Sequence, residues 1–366
     1  MKVGLVVPGG VGADGVTRVI PCLLALVERL ARMHDVHVFA LRQAARPARY
    51  PLLGATVHVP GEPAARVRAL AAILSEHRRG PFDAFHGIWA LPGVIAGLAG
   101  RLTGRAVALH LTGGDLASIP RIRYGLRRTA RGRAWLALAL RLAASVTVPS
   151  QAMRRTAAGL GIATRRLTIG VDCARWPPAP PRPRAVGAAP RLVAVGGINA
   201  VKDPDTLIGA AATLRDAGID FHLDVVGIDT LAGRVQRRVA ELRLQRLVTF
   251  HGELPHTAVR PIVEAADVLV VASLHEADPV AALEAAIAGV PVVGTRVGHL
   301  DEWAPHAAVA VPPADPRALA AAITDLLADE PRRLRIAAAG QRRALEHDAD
   351  AAAAAVDAIY RRLVPG

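Results

Sequence analysis

Short apolar runs alternate with longer amphipathic segments along almost the whole first half of the chain. Buried strands are predicted by the apolar runs at 3–7, 36–41, 82–89, 106–111 and 145–150. Helices are predicted at 16–33 and 65–77, where apolar residues recur at helical spacing. Alternation of this kind forms right-handed βαβ units, so it predicts a parallel sheet with helices on both faces.

A proline-rich stretch then interrupts the pattern. Residues 176–190 hold six prolines, which predicts a stiff linker between two domains. After it the alternation resumes, with strands at 191–197, 221–227, 247–252, 267–273 and 290–295 and helices at 203–216, 231–242 and from about 280. An Ala-rich helix at 349–362 ends the chain.

The pattern therefore predicts an α/β protein with two doubly wound, Rossmann-like domains. The predicted divisions are a first domain at 1–175, the linker at 176–190, a second domain at 191–350 and a final helical segment at 351–366. That last segment is a candidate to cross back to the first domain. Ligands of such sheets bind at the carboxyl ends of the strands, so we expect a cleft between the two facing sheets.

Composition narrows the class of protein. The chain has 366 residues, of which 52% are hydrophobic and 21% charged, and this suits two packed domains. Cys22 and Cys173 lie outside any CxxC or Cys/His cluster, so we expect neither a disulfide framework nor a zinc site. The expected location of the protein is the reducing cytosol. The N-terminal apolar run is too short for a signal peptide, and no stretch approaches the roughly 20 apolar residues of a membrane span.

The net charge of +14 is unevenly distributed. Residues 1–180 carry 25 basic and 8 acidic side chains, whereas residues 181–366 carry 20 and 23. The excess suggests an anionic partner for the first half, although 3% aromatic residues argue against single-stranded nucleic acid. Six arginines within 121–133 precede an apolar run: Arg121, Arg123, Arg127, Arg128, Arg131 and Arg133. This stretch is either a solvated basic helix or a site that docks on an anionic membrane, which would make the protein peripheral at the inner face.

Residues 267–295 carry the most informative chemistry. A strand is followed by Glu276, a predicted helix start at Val280 and Ala281, and Glu284 one turn later. Free N–H groups at a helix start suit a diphosphate, and the two carboxylates could accept hydrogen bonds from sugar and ribose hydroxyls. Two glutamates at this spacing also occur by chance, and Glu284 is equally compatible with a surface carboxylate near a helix start.

The segment 284–293, EAAIAGVPVV, resembles the signature of the family 4 retaining glycosyltransferases, in which a two-glutamate motif continues as E-A-x-A-x-G-x-P-V-V. Ala277 and Asp278 depart from the family, which usually has glycine and then an aromatic or apolar residue. The segment 193–210 resembles the V-G-R-L…K-G…L-I-x-A segment of the family, with Gly197 in place of its arginine. Similarity extends to 165–178, 248–256 and 297–303.

The resemblance implies a GT-B fold in which the second domain binds a nucleotide sugar. It places Lys202 at the donor diphosphate, beside Gly196, and Glu276 at the sugar. It also implies retention of the anomeric configuration and no obligatory metal or cofactor.

The first half offers weaker candidates. Gly10 and Gly12 follow the first strand and could let the backbone approach a donor phosphate. They do not form a dinucleotide-binding pattern, so a nicotinamide cofactor is not expected. His110 lies at the end of the fourth strand and Asp115 follows it, where the family has a His-Gly-x-Asp element. Counting back from Asp115 puts Thr112 at the family's histidine position, with His110 two residues earlier. His86 lies at the end of the third strand. Each histidine is also compatible with a half-buried strand residue or a turn.

We therefore expect a retaining glycosyltransferase with His110, Lys202 and Glu276 as catalytic candidates. It would move a hexose-type sugar from a UDP- or GDP-sugar to a glycan, a lipid-linked acceptor or a small molecule. Two alternatives stay open at this point. One is a nucleotide-sugar epimerase or hydrolase on the same architecture, and the other is a non-catalytic protein that binds a sugar nucleotide or a polyanion.

Overall fold

The computed structural model of the chain describes residues 1–185 and 187–364. Val186, in the predicted linker, and the last two residues of the predicted C-terminal segment lie outside the described residues. The backbone forms two compact units. The first unit runs from Met1 to Asp172 and resumes at His347, and the second unit spans Cys173–Glu346.

The first unit is built on an eight-stranded sheet. Its strands are β1 (Lys2–Val7), β2 (Asp35–Ala40), β3 (Ala48–Leu52), β4 (Ala55–Val59), β5 (Ala84–Ile88), β6 (Ala106–His110), β7 (Ser145–Val148) and β8 (Arg165–Arg166). Its helices are α1 (Pro21–Ala31), α2 (Ala65–Arg79), α3 (Ala90–Thr103), α4 (Ala130–Leu142) and α5 (Gln151–Ala158), with 3₁₀ turns at Pro120–Ile122 and Leu126–Arg128. The strand order is β3-β4-β2-β1-β5-β6-β7-β8, parallel except for the β3–β4 pair.

The second unit is built on a six-stranded parallel sheet in the order β11-β10-β9-β12-β13-β14. Its strands are β9 (Arg191–Val195), β10 (His222–Val226), β11 (Val248–Gly252), β12 (Val268–Val271), β13 (Val292–Thr295) and β14 (Val309–Val311). Its helices are α6 (Pro204–Asp216), α7 (Arg234–Glu241), α8 (His256–Ala265), α9 (Val280–Ile287), α10 (Leu300–Trp303), α11 (Pro316–Ala328) and α12 (Glu330–Leu345), with a 3₁₀ turn at Ala200–Lys202. Two doubly wound units confirm the predicted fold class.

Two local predictions in the first unit are wrong. The sequence pattern gave no strands between 42 and 64, where β3 and β4 form an antiparallel hairpin on the sheet edge. The first helix begins at Pro21 and not at residue 16. Asp14 accepts hydrogen bonds from the backbone N–H groups of Val16 and Thr17, so these residues form a turn that competes with the helix.

The last helix, α13 (Ala349–Leu363), packs against α1 in the first unit. Arg29 of α1 is almost fully buried and donates to Asp350 of α13 at 2.7 Å and to Asp172 at 3.0 Å. One guanidinium therefore ties α1 to both points at which the chain leaves and re-enters this unit.

The described part of the proline-rich segment is held along the second unit. Trp176 is buried there, and its indole N–H donates to the backbone carbonyl of Glu284 at 2.8 Å. Arg182 donates to the carbonyl groups of Ala265 and Ala266, and the buried Arg333 donates to the Arg182 carbonyl at 2.6 Å. Side chains of the segment thus donate to carbonyl groups of the second unit, and Arg333 donates in the opposite direction to a carbonyl of the segment.

Among the described residues, no helix has both the length and the apolar character needed to cross a membrane.

Candidate functional site

The strand order of the second unit reverses direction between β9 and β12. In open α/β sheets a ligand binds at this switch point, beyond the carboxyl ends of the two strands. A small pocket lies there, and its polar lining residues include Ser273, Lys202 and Glu276. Two predicted site residues from distant parts of the sequence are therefore brought together.

Lys202 and Glu276 are in direct contact. The Lys202 ammonium donates to Glu276 Oε1 at 2.6 Å, and the Ser273 hydroxyl donates to the same oxygen at 2.7 Å. The lysine side chain is about one-third exposed, and the glutamate is more buried. The Lys202 ammonium is thus paired with a carboxylate in this structure, and another anion could take the place of that carboxylate.

The backbone before Lys202 fixes its position. Gly196 adopts a φ of +141°, and a Cβ added there would lie 3.2 Å from the Lys202 Cε. Asn199 accepts hydrogen bonds from the N–H groups of Val201 and Lys202 through its side-chain oxygen. The glycine therefore provides both the unusual backbone conformation and the space under the lysine stem.

Helix α9 starts at the same edge of the sheet. Pro279 precedes it, and Val280 and Ala281 are half-buried at its first positions. Their N–H groups have no acceptor within the helix, since only later residues reach back to the Pro279 carbonyl. Asp278, the departure from the family pattern, is bonded to His299 at 2.7 Å, so it holds the loop against the segment after β13.

Glu284 lies in the second turn of α9 and is buried. Its Oε1 is 2.7 Å from His256 Nε2, and the His256 ring stacks on Trp176 with centroids 4.8 Å apart. No motif in the sequence points to His256. It lies 28 residues before Glu284, and no spacing rule links the two positions. One carboxylate oxygen of Glu284 thus already has a partner. The expected contact of Glu284 with ribose hydroxyls stays a prediction.

The two strand histidines of the first unit are core residues. His110 is 1% exposed and its Nδ1 lies 2.9 Å from the Thr147 hydroxyl, while burial lowers its pKa to about 3. His86 is equally buried, its Nδ1 lies 2.9 Å from the Tyr360 hydroxyl, and burial lowers its pKa to about 4. Neither ring has the surface needed to touch a sugar. The assignments of His110 to catalysis and of His86 to a cleft are therefore corrected.

Asp115 is buried but adjoins a cavity of the first unit. Its Oδ2 accepts hydrogen bonds from the N–H groups of Ala90, at the start of α3, and of Thr112, both at 3.1 Å. Burial raises the pKa of Asp115 to about 7, against the lowering effect of the two hydrogen bonds. The carboxyl group therefore fixes the loop after β6 to the start of α3.

Gly10 and Gly12 lie in the loop after β1. A Cβ at Gly12 would be 2.0 Å from the Thr17 carbonyl oxygen, and Gly10 has a φ of +85°. The packing of the loop itself thus requires both glycines. Their approach to a donor phosphate stays a prediction.

The basic stretch forms two 3₁₀ turns and the start of α4. Only Arg127 is half-buried, with a hydrogen bond to the Leu116 carbonyl, and the other five predicted arginines are exposed. The exposed positions are Arg121, Arg123, Arg128, Arg131 and Arg133.

One group of potential metal ligands occurs among the described residues: His37, His58 and Glu76. The two rings share a hydrogen bond of 3.0 Å, and Lys2 and Arg49 approach Glu76 within 4 Å. Burial lowers the pKa of His58 to about 4. The two rings are therefore hydrogen-bonding partners of each other, and the Glu76 carboxylate has two nearby cations as partners.

Two family models match the chain. Residues 19–172 match the "Glycosyl transferase 4-like domain", and residues 181–343 match "Glycosyl transferases group 1". Among curated relatives, a glycogen synthase of Mycobacterium tuberculosis is 34% identical over 52% of the chain and 46% of its own length. A 2-deoxystreptamine glucosyltransferase of Streptomyces kanamyceticus is 33% identical over 63% of the chain and 65% of its own length. The chain spans about half the length of the first curated relatives it matches.

Solved structures share the fold at low sequence identity. A sucrose-phosphate synthase from Thermosynechococcus elongatus superposes with a TM-score of 0.82 at 20% identity, over 99% of this chain and 98% of its own. HepE of Anabaena, solved in complex with UDP-glucose, gives a TM-score of 0.76 at 19% identity, over 99% of this chain and 100% of its own. The fold is thus the GT-B fold of these proteins.

Proposed function

The chain belongs to the group 1 glycosyltransferases, and from this premise we propose that it transfers a sugar from a nucleoside diphosphate sugar to a hydroxyl acceptor. The donor would bind at the switch point of the second unit. The pairing of Lys202 with Glu276 beside the start of α9 supports this proposal most directly.

Each group at the site has a task that its chemistry suits. Lys202 would exchange its carboxylate partner for the diphosphate, and the N–H groups of Val280 and Ala281 would take further phosphate oxygens. Glu276, released from the ammonium, would accept hydrogen bonds from sugar hydroxyls. The Lys202 ammonium and the two N–H groups would stabilise the negative charge that develops on the leaving diphosphate. Stabilisation of this charge in the transition state is what accelerates the transfer.

The transfer breaks the bond between the anomeric carbon and the diphosphate oxygen. The acceptor oxygen forms the new bond to that carbon, and its proton passes to the departing phosphate. Attack from the face that the diphosphate leaves would retain the anomeric configuration. Neither strand histidine is available as a base, so the phosphate is the base that this proposal requires.

A UDP-sugar is the first donor to test, because HepE shares the fold and was solved with UDP-glucose. The acceptors named in the relatives differ in chemistry, since they include an inositol phosphate and an aminocyclitol. The relatives therefore do not define the acceptor class, and the lining of the first unit of this chain is the place to look for it.

The test is nucleotide release from UDP-, GDP- and ADP-sugars with and without a mixture of acceptor alcohols. We expect release of one nucleoside diphosphate that depends on an acceptor, with a product of matching added mass. Release without acceptor would support a hydrolase or epimerase instead. Tight donor binding without release under either condition would support a binding protein.

A further inference from the structure

The first unit contains a cavity of about 710 Å³ that the donor site does not use. Nineteen residues line it, and all but four are apolar. They come from α2, α3, α4 and the 3₁₀ turn before α4, and from the loops that follow β1, β2, β4, β5 and β6. We call this space the apolar cavity.

Large side chains line the apolar cavity without being fully buried. Six of them are half-exposed: Leu70, Trp89, Leu91, Leu98, Leu126 and Trp135. A contiguous apolar surface of this kind on a folded domain marks a binding site more often than single exposed residues do. The volume could hold on the order of 20 water molecules, and these would leave when an apolar ligand enters.

The charged residues define which ligand fits. Arg42, Glu62 and Arg66 are exposed, and the Arg66 guanidinium lies over the Trp135 ring at 5.8 Å. Asp115 is the one buried charged residue on the wall, and two backbone N–H groups already bond its Oδ2. The interior therefore lacks the many convergent hydrogen-bonding groups that a bare polyol or an aminocyclitol would require.

The location of the apolar cavity suits a substrate. Pro8, Leu41 and Trp89 each directly follow a strand, so the cavity lies at the carboxyl edge of the sheet, where open α/β sheets bind ligands. Trp89 has a φ of +72°, which is uncommon for a bulky residue and is typical of functional sites.

We propose that the apolar cavity holds the apolar body of the acceptor, an alcohol or glycoside that carries an alkyl chain or a fused apolar ring. This assignment rests on the proposed function only in calling the ligand an acceptor. Binding of the apolar body itself follows from the cavity alone, and it can be measured without any donor.

The test compares octyl β-D-glucopyranoside, kept below its micellar concentration, with methyl β-D-glucopyranoside. The two have the same hydroxyl groups and differ in the chain. Trp89 and Trp135 face the cavity, while Trp176 and Trp303 are buried in the second unit, so tryptophan fluorescence reports on the cavity. Each buried methylene increases affinity about fourfold before ordering costs, so we expect octyl glucoside to bind at least about 100-fold more tightly.

Helix α3 supplies a matched pair of variants. Leu98 lines the apolar cavity, whereas Leu102, one turn later, is 63% exposed and does not. Leu98→Asp should weaken octyl glucoside binding about tenfold or more, and Leu102→Asp should change it less than about twofold. Val67→Asp provides a second test at the cavity, because Val67 is 72% exposed and its replacement leaves the core intact.

Similar affinities for the two glucosides, or equal effects of Leu98→Asp and Leu102→Asp, would overturn the proposal. So would tighter binding of an aminocyclitol or an inositol phosphate in competition with octyl glucoside. UDP binding is measured on the same samples. Normal UDP binding with no octyl glucoside binding would refute the cavity assignment alone, and the reverse pattern would refute the donor site and leave the cavity assignment intact.

Discussion

Lys202→Met tests the donor site most directly. Methionine keeps a flexible stem of similar length over Gly196 and removes only the ammonium group. The sequence contains one other lysine, Lys2, whose ammonium donates to the Gly80 carbonyl in the first unit. Lys2→Met is therefore a control that loses the same charge far along the chain from the proposed site.

The expected magnitude follows from two opposing contributions. A hydrogen bond between an ammonium and a phosphate contributes about 1.5–3 kcal/mol. Lys202 must first leave Glu276, and an ion pair that is partly exposed contributes about 0.5–1 kcal/mol. The net loss of about 1–2 kcal/mol predicts that Lys202→Met weakens UDP about 5- to 30-fold. UMP lacks the distal phosphate, so its affinity should change less than about twofold.

Calorimetric titration of the parent and both variants with UDP and UMP measures these affinities. Equal losses for the two nucleotides, or no loss for either, would refute the placement of Lys202 at the diphosphate. Amine acylation mapped by mass spectrometry gives an independent measurement. UDP should slow acylation of Lys202 and leave that of Lys2 unchanged, and the opposite result would contradict the reasoning.

Three further predictions concern stability and surface charge. Arg29→Met should lower the free energy of unfolding of the first unit by about 3–5 kcal/mol, since it removes a largely buried guanidinium that pairs with both Asp172 and Asp350. Arg32→Met, at an exposed pair, should cost less than about 1 kcal/mol in the same denaturant titration. Burial raises the pKa of Asp115 from 3.8 to about 7. Between these two pH values the folded chain retains a proton that the unfolded chain releases. The contribution of Asp115 to the free energy of unfolding therefore falls as pH rises. The melting temperature of Asp115→Asn relative to the parent should therefore increase between pH 5 and pH 8, and a constant difference would contradict this. If the basic stretch binds anionic membranes, replacing Arg127, Arg128, Arg131 and Arg133 with Gln should abolish salt-sensitive sedimentation with anionic liposomes, each charge contributing about 1 kcal/mol, and parent protein that stays in solution at low salt would exclude the idea.

The sequence alone was sufficient for most of the architecture. Central parallel strands are apolar throughout and are flanked by longer amphipathic segments, so their number and order along the chain could be predicted. The edge strand β3 carries no such signal. Strand β3 has the sequence ARYPL and is largely exposed, and its pairing with β4 depends on the turn around Gly54, which has a φ of +85°.

The convergence of Lys202 and Glu276 could also be predicted, because both follow strands that end at one edge of the same sheet. The partners of Glu284 and Asp278 could not. His256 is the first residue of α8 and His299 lies in the loop after β13. Only the packing of these two segments brings the histidines within 2.7 Å of those carboxylates. Long-range pairs of this kind have no period in the sequence.

The two strand histidines show why a polar residue in an apolar strand is a weak functional signal. In a sheet covered on one face, alternation tells which side chains reach the solvent. The first sheet is covered by helices on both faces, so residues on either side of β5 and β6 are buried and alternation carries no information about access. A histidine is tolerated there when a hydroxyl such as that of Thr147 or Tyr360 accompanies it and its ring stays neutral. Accessible chemistry in this fold therefore has to be sought just beyond the strand ends, where Lys202 and Glu276 lie and where the apolar cavity opens.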